Sequence, residues 1–205
     1  MRYIEFRQIM KDFTVFSLKD IKGTEPDFYR SRLNDWQDKG YITKIIKGYY
    51  IFSDIDLNEK ILFEIANRIY SPSYVSLQTA LAHYGLIPES AYGVSSVSTL
   101  KTYRFETGKA VFTYRSLSPR LFFGYKIESN EKGCFKIAFP EKAILDYFYL
   151  NPEINDIDAY ESLRIDKDLF FELVSGKKMD AFLVKFSRSR MAKRIHSFRR
   201  FMKNA

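Results

Sequence analysis

Along the first 53 residues the apolar positions change period from helical to strand-like. Ile4, Ile9, Phe13 and Phe16 give a loose helical pattern. Ser17-Leu18-Lys19-Asp20 reads as a helix start, with Ser17 as N-cap and Asp20 at the capping-box position; Gly23 stops that helix. Thr24 caps a second start, with Pro26 just inside it and Asp27 in its first turn. Tyr29, Leu33, Trp36 and Gly40 then fall at i, i+4, i+7 and i+11, so one face packs inward and the helix ends at glycine. Two β-rich runs, Tyr41–Ile46 and Tyr49–Phe52, flank Lys47-Gly48 and predict a hairpin.

Beyond residue 57 the helical period returns. Ile61, Leu62, Ile65, Ala66 and Ile69 form one stripe, broken by Ser71-Pro72-Ser73. Ser76 caps a helix through Leu77, Ala80, Leu81 and Tyr84 that ends at Gly85. Val94, Val97 and Leu100 lie in a β-rich run. Tyr103-Arg104-Phe105 and Ala110–Tyr114 pair around a turn at Thr107-Gly108-Lys109, and Phe122–Ile127 and Cys134–Phe139 are two further strands. Pro140 opens a helix that packs Ala143, Ile144, Tyr147 and Phe148, and the chain reads as helical from about Asp156 onward. Helix, short helix, turn, helix and hairpin is the order of a winged helix-turn-helix. The expected fold is therefore α+β: a winged helix-turn-helix over residues 1–56, then a mixed domain over 57–205. That second domain would hold a small, mainly antiparallel sheet and a helical C-terminus.

Charge sharpens this picture once it is divided along the chain. The total is +8 at pH 7. Residues 1–53 carry a net +3 and residues 54–184 a net −3, while the 21 residues from Lys185 hold eight basic side chains and no acid. In that tail Met191, Ile195, Phe198 and Met202 form one apolar stripe. An amphipathic basic helix can lie on an anionic membrane or dock on its own domain; with no lipidation signal, docking is favoured. Its outward residues, Arg188, Arg190, Lys193, Arg194, Arg199, Arg200 and Lys203, make a second candidate surface for phosphate.

The first candidate surface lies on the expected recognition helix and wing. With Tyr29, Leu33 and Trp36 inward, Ser31, Asn34, Asp35 and Asp38 point outward, with Arg30 and Arg32 on the flanks. Arg30, Asn34 and Gln37 suit base edges, and Ser31, Arg32, Lys44 and Lys47 suit phosphates. Asp27, Asp35 and Asp38 oppose that reading by repelling phosphate.

Catalytic chemistry finds little support. No Gly-rich phosphate loop or G-x-S-x-G elbow occurs. His83 and His196 stand 113 positions apart and Cys134 is the single cysteine, so no zinc spacing or nucleophilic triad forms. Cys134, in a predicted strand, is expected to be buried and inert, and His83 to be a core or surface histidine. Pro140-Glu141-Lys142 with Asp146 has the residue types of a nuclease site but not its spacing; a helix N-terminus explains it more simply. The expectations are thus no enzyme, no cofactor, no metal and no membrane partner. With no run near 18 apolar residues, and Glu5 and Arg7 interrupting the start, a cytoplasmic setting is expected.

Several segments together resemble the AbiEi-type antitoxin family of type IV toxin–antitoxin, or abortive infection, systems. They are Tyr74–Leu81, Tyr84–Glu89, Phe112–Arg115, Phe123-Gly124-Tyr125 and Ile137–Asp146, with a Gly48-Tyr49-Tyr50 hairpin like the one ending the family's winged helix. The resemblance implies an antitoxin that represses its own operon through the winged helix, on double-stranded operator DNA with inverted repeats. It also implies a functional partner, a nucleotidyltransferase-like toxin, opposed without a stable complex. Arg30, Arg32, Asn34, Lys44 and Lys47 match the family's DNA-binding unit, whereas Tyr74–Glu89 and Pro140–Asp146 match its core. A stand-alone winged-helix regulator and a protein-binding adaptor remain the alternatives.

Overall fold

A computed structural model describes residues 1–88, 93–129, 133–186 and 189–204. The chain opens with α1 (Tyr3–Ile9), β1 (Phe16–Ser17), α2 (Leu18–Thr24), α3 (Ser31–Asp38), β2 (Ile42–Ile46) and β3 (Tyr49–Phe52). The three strands form an antiparallel sheet in the order β1-β3-β2. Strand alternation gives this sheet two buried faces. Tyr50 and Phe52 pack with Phe6, Leu33 and Trp36 in a small core, while Ile51, between them, joins Ile45 and Val15 in the larger core of the rest of the chain.

Two details of this region differ from the sequence reading. The inward residues here are Phe6 of α1 and Met10 at its C-cap, one turn apart, and Ile4 is 81% exposed. The helix stops at Ile9, so Phe13 and Phe16 never share its face, and Phe16 enters β1 instead. Thr24 closes α2 rather than capping a new helix: the Glu25 amide donates to Ile21 O at 2.7 Å, and a turn follows. Phe28 takes the inward place in that turn, which leaves Tyr29 77% exposed. The capping box at Ser17 and Asp20 forms as expected, and Gly40 and Gly48 adopt φ of +70° and +90° where helix and hairpin must turn.

The larger part follows with α4 (Glu59–Ile69), β4 (Ser73–Val75), α5 (Leu77–His83), β5 (Val94–Ser98), β6 (Tyr103–Glu106), β7 (Val111–Ser116), β8 (Tyr125–Ser129) and β9 (Cys134–Ala138). Its helical end comprises α6 (Pro140–Leu150), α7 (Ile157–Ser162), α8 (Lys167–Leu173), α9 (Gly176–Val184) and α10 (Ser189–Asn204). The expected small, mainly antiparallel sheet is a six-stranded mixed sheet in the order β6-β7-β5-β4-β9-β8. Two parallel pairings account for the difference, β4 with β9 and β5 with β7, while β4 pairs antiparallel with β5. Leu100 lies past the end of β5 and is exposed. Cys134 is exposed as well: it opens β9 at its solvent end, before the buried Phe135, and the expectation of a buried thiol is corrected.

Pro140 stands at the first position of α6, where its missing N–H costs nothing. Helix α6 packs against α5, α9 and α10, and α4 covers β4 and β9. Among the described residues no helix is long and apolar enough to cross a membrane.

Candidate nucleic-acid interface

Helix α3 is held by Leu33 and Trp36, both buried in the small core beside Phe6 and Phe28. Trp36 makes a T-shaped contact with Tyr3, whose ring in turn stacks on Tyr41 at 4.3 Å. With that face inward, Arg30, Ser31, Arg32, Asn34, Asp35 and Asp38 are all exposed. Gln37 is only half exposed, and its Nε2 donates to Leu33 O one turn back at 3.1 Å. It is therefore already engaged within its own helix. Tyr29 completes the outward set beside Arg30. Its exposure was hidden from the periodicity because the helix begins two residues later than the i, i+4 spacing suggests.

Helix α3 runs through Gly40 into β2, and the Tyr41 amide donates to Trp36 O at 2.9 Å. Lys44 and Lys47, on and after β2, are exposed at the hairpin. The small unit is tied to the larger part by Asp20, which accepts from Ser17 in the capping box and from the Arg68 guanidinium of α4. Burial alone would raise the Asp20 pKa; the Ser17 hydrogen bonds and Arg68 outweigh it and hold the carboxyl below its ordinary value. On the other side, Arg7 makes a bidentate pair with Asp54 at 2.7 and 2.9 Å.

The second basic surface divides into braces and exposed cations. Met191, Ile195, Phe198 and Met202 are buried, so the apolar stripe of α10 is docked. Arg190, Lys193, Arg200 and Lys203 are exposed. Arg194 leaves this set. Its guanidinium donates to Phe148 O, Asn151 O and Ile154 O at 2.6–2.9 Å, satisfying carbonyls at and beyond the end of α6. That burial lowers its pKa, and the four hydrogen bonds engage four of its five N–H donors. Arg199 is paired with Asp180 at 2.7 Å, and Arg188 lies outside the described residues.

Three of the segments that carry the family resemblance, Tyr74–Leu81, Phe123-Gly124-Tyr125 and Ile137–Asp146, meet at a closed ionic cluster; Glu89, at the end of another, lies outside the described residues. Tyr74 and Ser76 each donate to Asp146 Oδ2 at 2.9 Å. Lys142 donates to Asp146 Oδ1 and, at 2.7 Å, to the Tyr74 hydroxyl. The rings of Phe123, Tyr74 and Phe186 surround its ammonium at 5.0–5.4 Å. Burial pushes Asp146 and Tyr74 up and Lys142 down. Both Lys142 and Asp146 are fully enclosed, so the cluster has no face to offer a substrate. Ser76 thus spends its hydroxyl on Asp146 rather than on capping α5. Glu141 points elsewhere, accepting from the Ser175 amide at 2.9 Å near the Lys178 ammonium. The i, i+4 spacing of Lys142 and Asp146 was the one sequence signal for this pair.

His83 is half-buried, with Nδ1 2.9 Å from Glu59 Oε2. Among the described residues no group of three or more His, Cys, Asp or Glu side chains could hold a metal ion. The chain matches no protein-family model and no curated protein.

Proposed function

We propose that the chain is a DNA-binding autorepressor of the AbiEi antitoxin type, reading its operator with a winged helix-turn-helix formed by α1–α3 and the β2–β3 hairpin. One observation carries this reading: away from Leu33 and Trp36, α3 exposes Ser31 and Asn34, with Arg30 at its N-cap and Arg32 on the flank, and the hairpin that follows exposes Lys44 and Lys47. In such a unit the second helix of the pair enters the major groove and its N-terminal residues meet base edges. Arg30 suits guanine O6 and N7, and Asn34 suits adenine N6 and N7. Arg32, Lys44 and Lys47 hold the backbone and set register without reading sequence. Asp35 and Asp38, one and two turns along the same exposed side, keep non-specific phosphate affinity low. Specific base contacts then count for a larger share of binding.

In this reading the larger part opposes a nucleotidyltransferase-like toxin, and the closed Lys142–Asp146 cluster fixes its shape without doing chemistry. The protein-adaptor alternative draws on the exposed Ile4 and Tyr29, apolar side chains that suit a protein partner. Mobility shifts with the DNA upstream of the chain's own gene separate the two. Retarded upstream DNA under excess non-specific competitor supports the repressor. An unshifted fragment, at low salt, leaves the adaptor.

A further inference from the structure

The six-stranded sheet ends on one side at β6, whose described pairing is with β7 alone. The hairpin between them closes with the Thr107 amide donating to Ala110 O at 3.1 Å, and the register runs Phe105↔Phe112 and Tyr103↔Tyr114. Antiparallel pairs alternate, so Tyr103, Phe105 and Thr107 spend their main-chain groups on β7. Arg104 and Glu106 turn theirs outward, along the open edge. The side chains of these two residues lie on one face of the sheet and remain 60% and 69% exposed, even though they pair with each other at 2.8 Å. On the opposite face Tyr103 packs on Phe105 at 4.5 Å, and both rings meet Tyr70. Tyr103 stays half open to solvent.

This edge is complementary to itself. A two-fold axis through Phe105 sets a second β6 antiparallel to the first. Arg104 then stands opposite Glu106 of the other copy, twice, and their outward main-chain groups exchange hydrogen bonds. The two Phe105 rings meet at the centre of the aromatic face, flanked by Tyr103. Natural sheet edges are usually protected by a charge that any incoming strand must bury. Here opposite charges sit at equal distances from the axis, so an identical strand sets an opposite charge against each, and the pairs within one strand can be exchanged for pairs between two. The far edge does not offer the same match. Lys126 and Glu128 flank Ile127 there, but they are turned inward, with Glu128 held by Lys126 at 2.7 Å and lying 3.9 Å from His83.

We infer that the chain forms a two-fold homodimer by antiparallel pairing of β6 with β6, giving a continuous sheet across both copies. A two-fold contact closes on itself and stops at two. The inference stands apart from the DNA reading and is tested without DNA. Where both hold, the same symmetry matches an inverted-repeat operator.

The test is sedimentation velocity on the full chain at low salt, with circular dichroism to confirm that each variant keeps its fold. The wild type should be dimeric at about 100 µM, as expected of a small interface with micromolar affinity. R104E and E106R each place like charges opposite one another and should weaken association about tenfold or more. Mixed together, the two variants restore both opposite-charge pairs, so an equimolar mixture should form a heterodimer that neither forms alone. The double variant R104E/E106R should regain the wild-type dimer. A wild type that stays monomeric at that concentration overturns the proposal. So does a mixture no more associated than its components, or association that continues into open polymers.

Discussion

Replacing Asp146 by alanine removes the acceptor on which three buried donors converge. The Tyr74 and Ser76 hydroxyls lose their bonds at 2.9 Å, and Lys142 loses its ion pair. The ammonium then keeps the Tyr74 hydroxyl and the faces of three aromatic rings, but no counter-charge, in a place without solvent. Breaking a buried pair from one side costs about 3–5 kcal/mol. A domain is stable by only about 5–15 kcal/mol, so the loss is a large fraction of the total. With a urea slope of about 2–3 kcal/mol per molar, the midpoint should fall by about 1–2 M. Equilibrium unfolding followed by far-ultraviolet circular dichroism reads this directly. Lys142→Met with Asp146→Leu replaces the pair by apolar side chains and should cost at least about 2 kcal/mol less than the two single losses added together. A midpoint within about 0.4 M of wild type for Asp146→Ala, or strict additivity in the cycle, would refute the account of a closed ionic core.

Gly124 has φ +73°, and a Cβ there would stand 3.0 Å from Lys142 Cγ and 3.1 Å from Phe182 Cε2. Gly124→Ala should therefore lose about 1–3 kcal/mol in the same unfolding assay. Arg194→Met strips the hydrogen bonds to Phe148, Asn151 and Ile154; a loss of about 2 kcal/mol should lower Tm by about 4–8 °C in calorimetry, while Arg200→Ala leaves Tm unchanged. Because the folded Asp20 carboxyl lies below its ordinary value of 3.8, its contribution is fully present above that pH and is lost as pH falls from there through the folded pKa. Asp20→Asn should lower stability at pH 7 and flatten this acid limb, and an unchanged limb in pH-dependent unfolding would count against the Asp20–Arg68 tie.

Features set by local chemistry were legible in the sequence. The Ser17–Asp20 capping box, Pro140 at the start of α6 and the Lys47-Gly48 turn depend on a few neighbouring residues. The Met191–Met202 stripe was legible for a related reason, since a docked amphipathic helix writes its contact face as a period. What escaped depends on long-range partners. Strand β4 has three residues, all buried, with no alternation to announce them; neighbours β5 and β9 create it. Tyr29 and Phe28 compete for one inward place, and the choice is made by the core of Phe6 and Trp36 rather than by spacing. Arg194 is indistinguishable in composition from the other tail cations, and only the end of α6 beneath it makes it a brace. On the candidate interface, the exposure of Arg30, Arg32, Asn34, Lys44 and Lys47 followed from helix phase and hairpin register. The withdrawal of Gln37 onto Leu33 O did not.

The most direct measurement of the proposed DNA reading is a competition titration by fluorescence anisotropy, with the upstream fragment against a scrambled fragment of equal length at about 150 mM salt. The wild type should prefer the upstream fragment by at least about a thousandfold. Asn34→Ala should lose about 1–3 kcal/mol of that preference, whereas Lys44→Ala with Lys47→Ala should weaken both fragments alike and flatten the salt dependence by about two units. Equal affinity of the wild type for the two fragments would contradict sequence-specific recognition by α3.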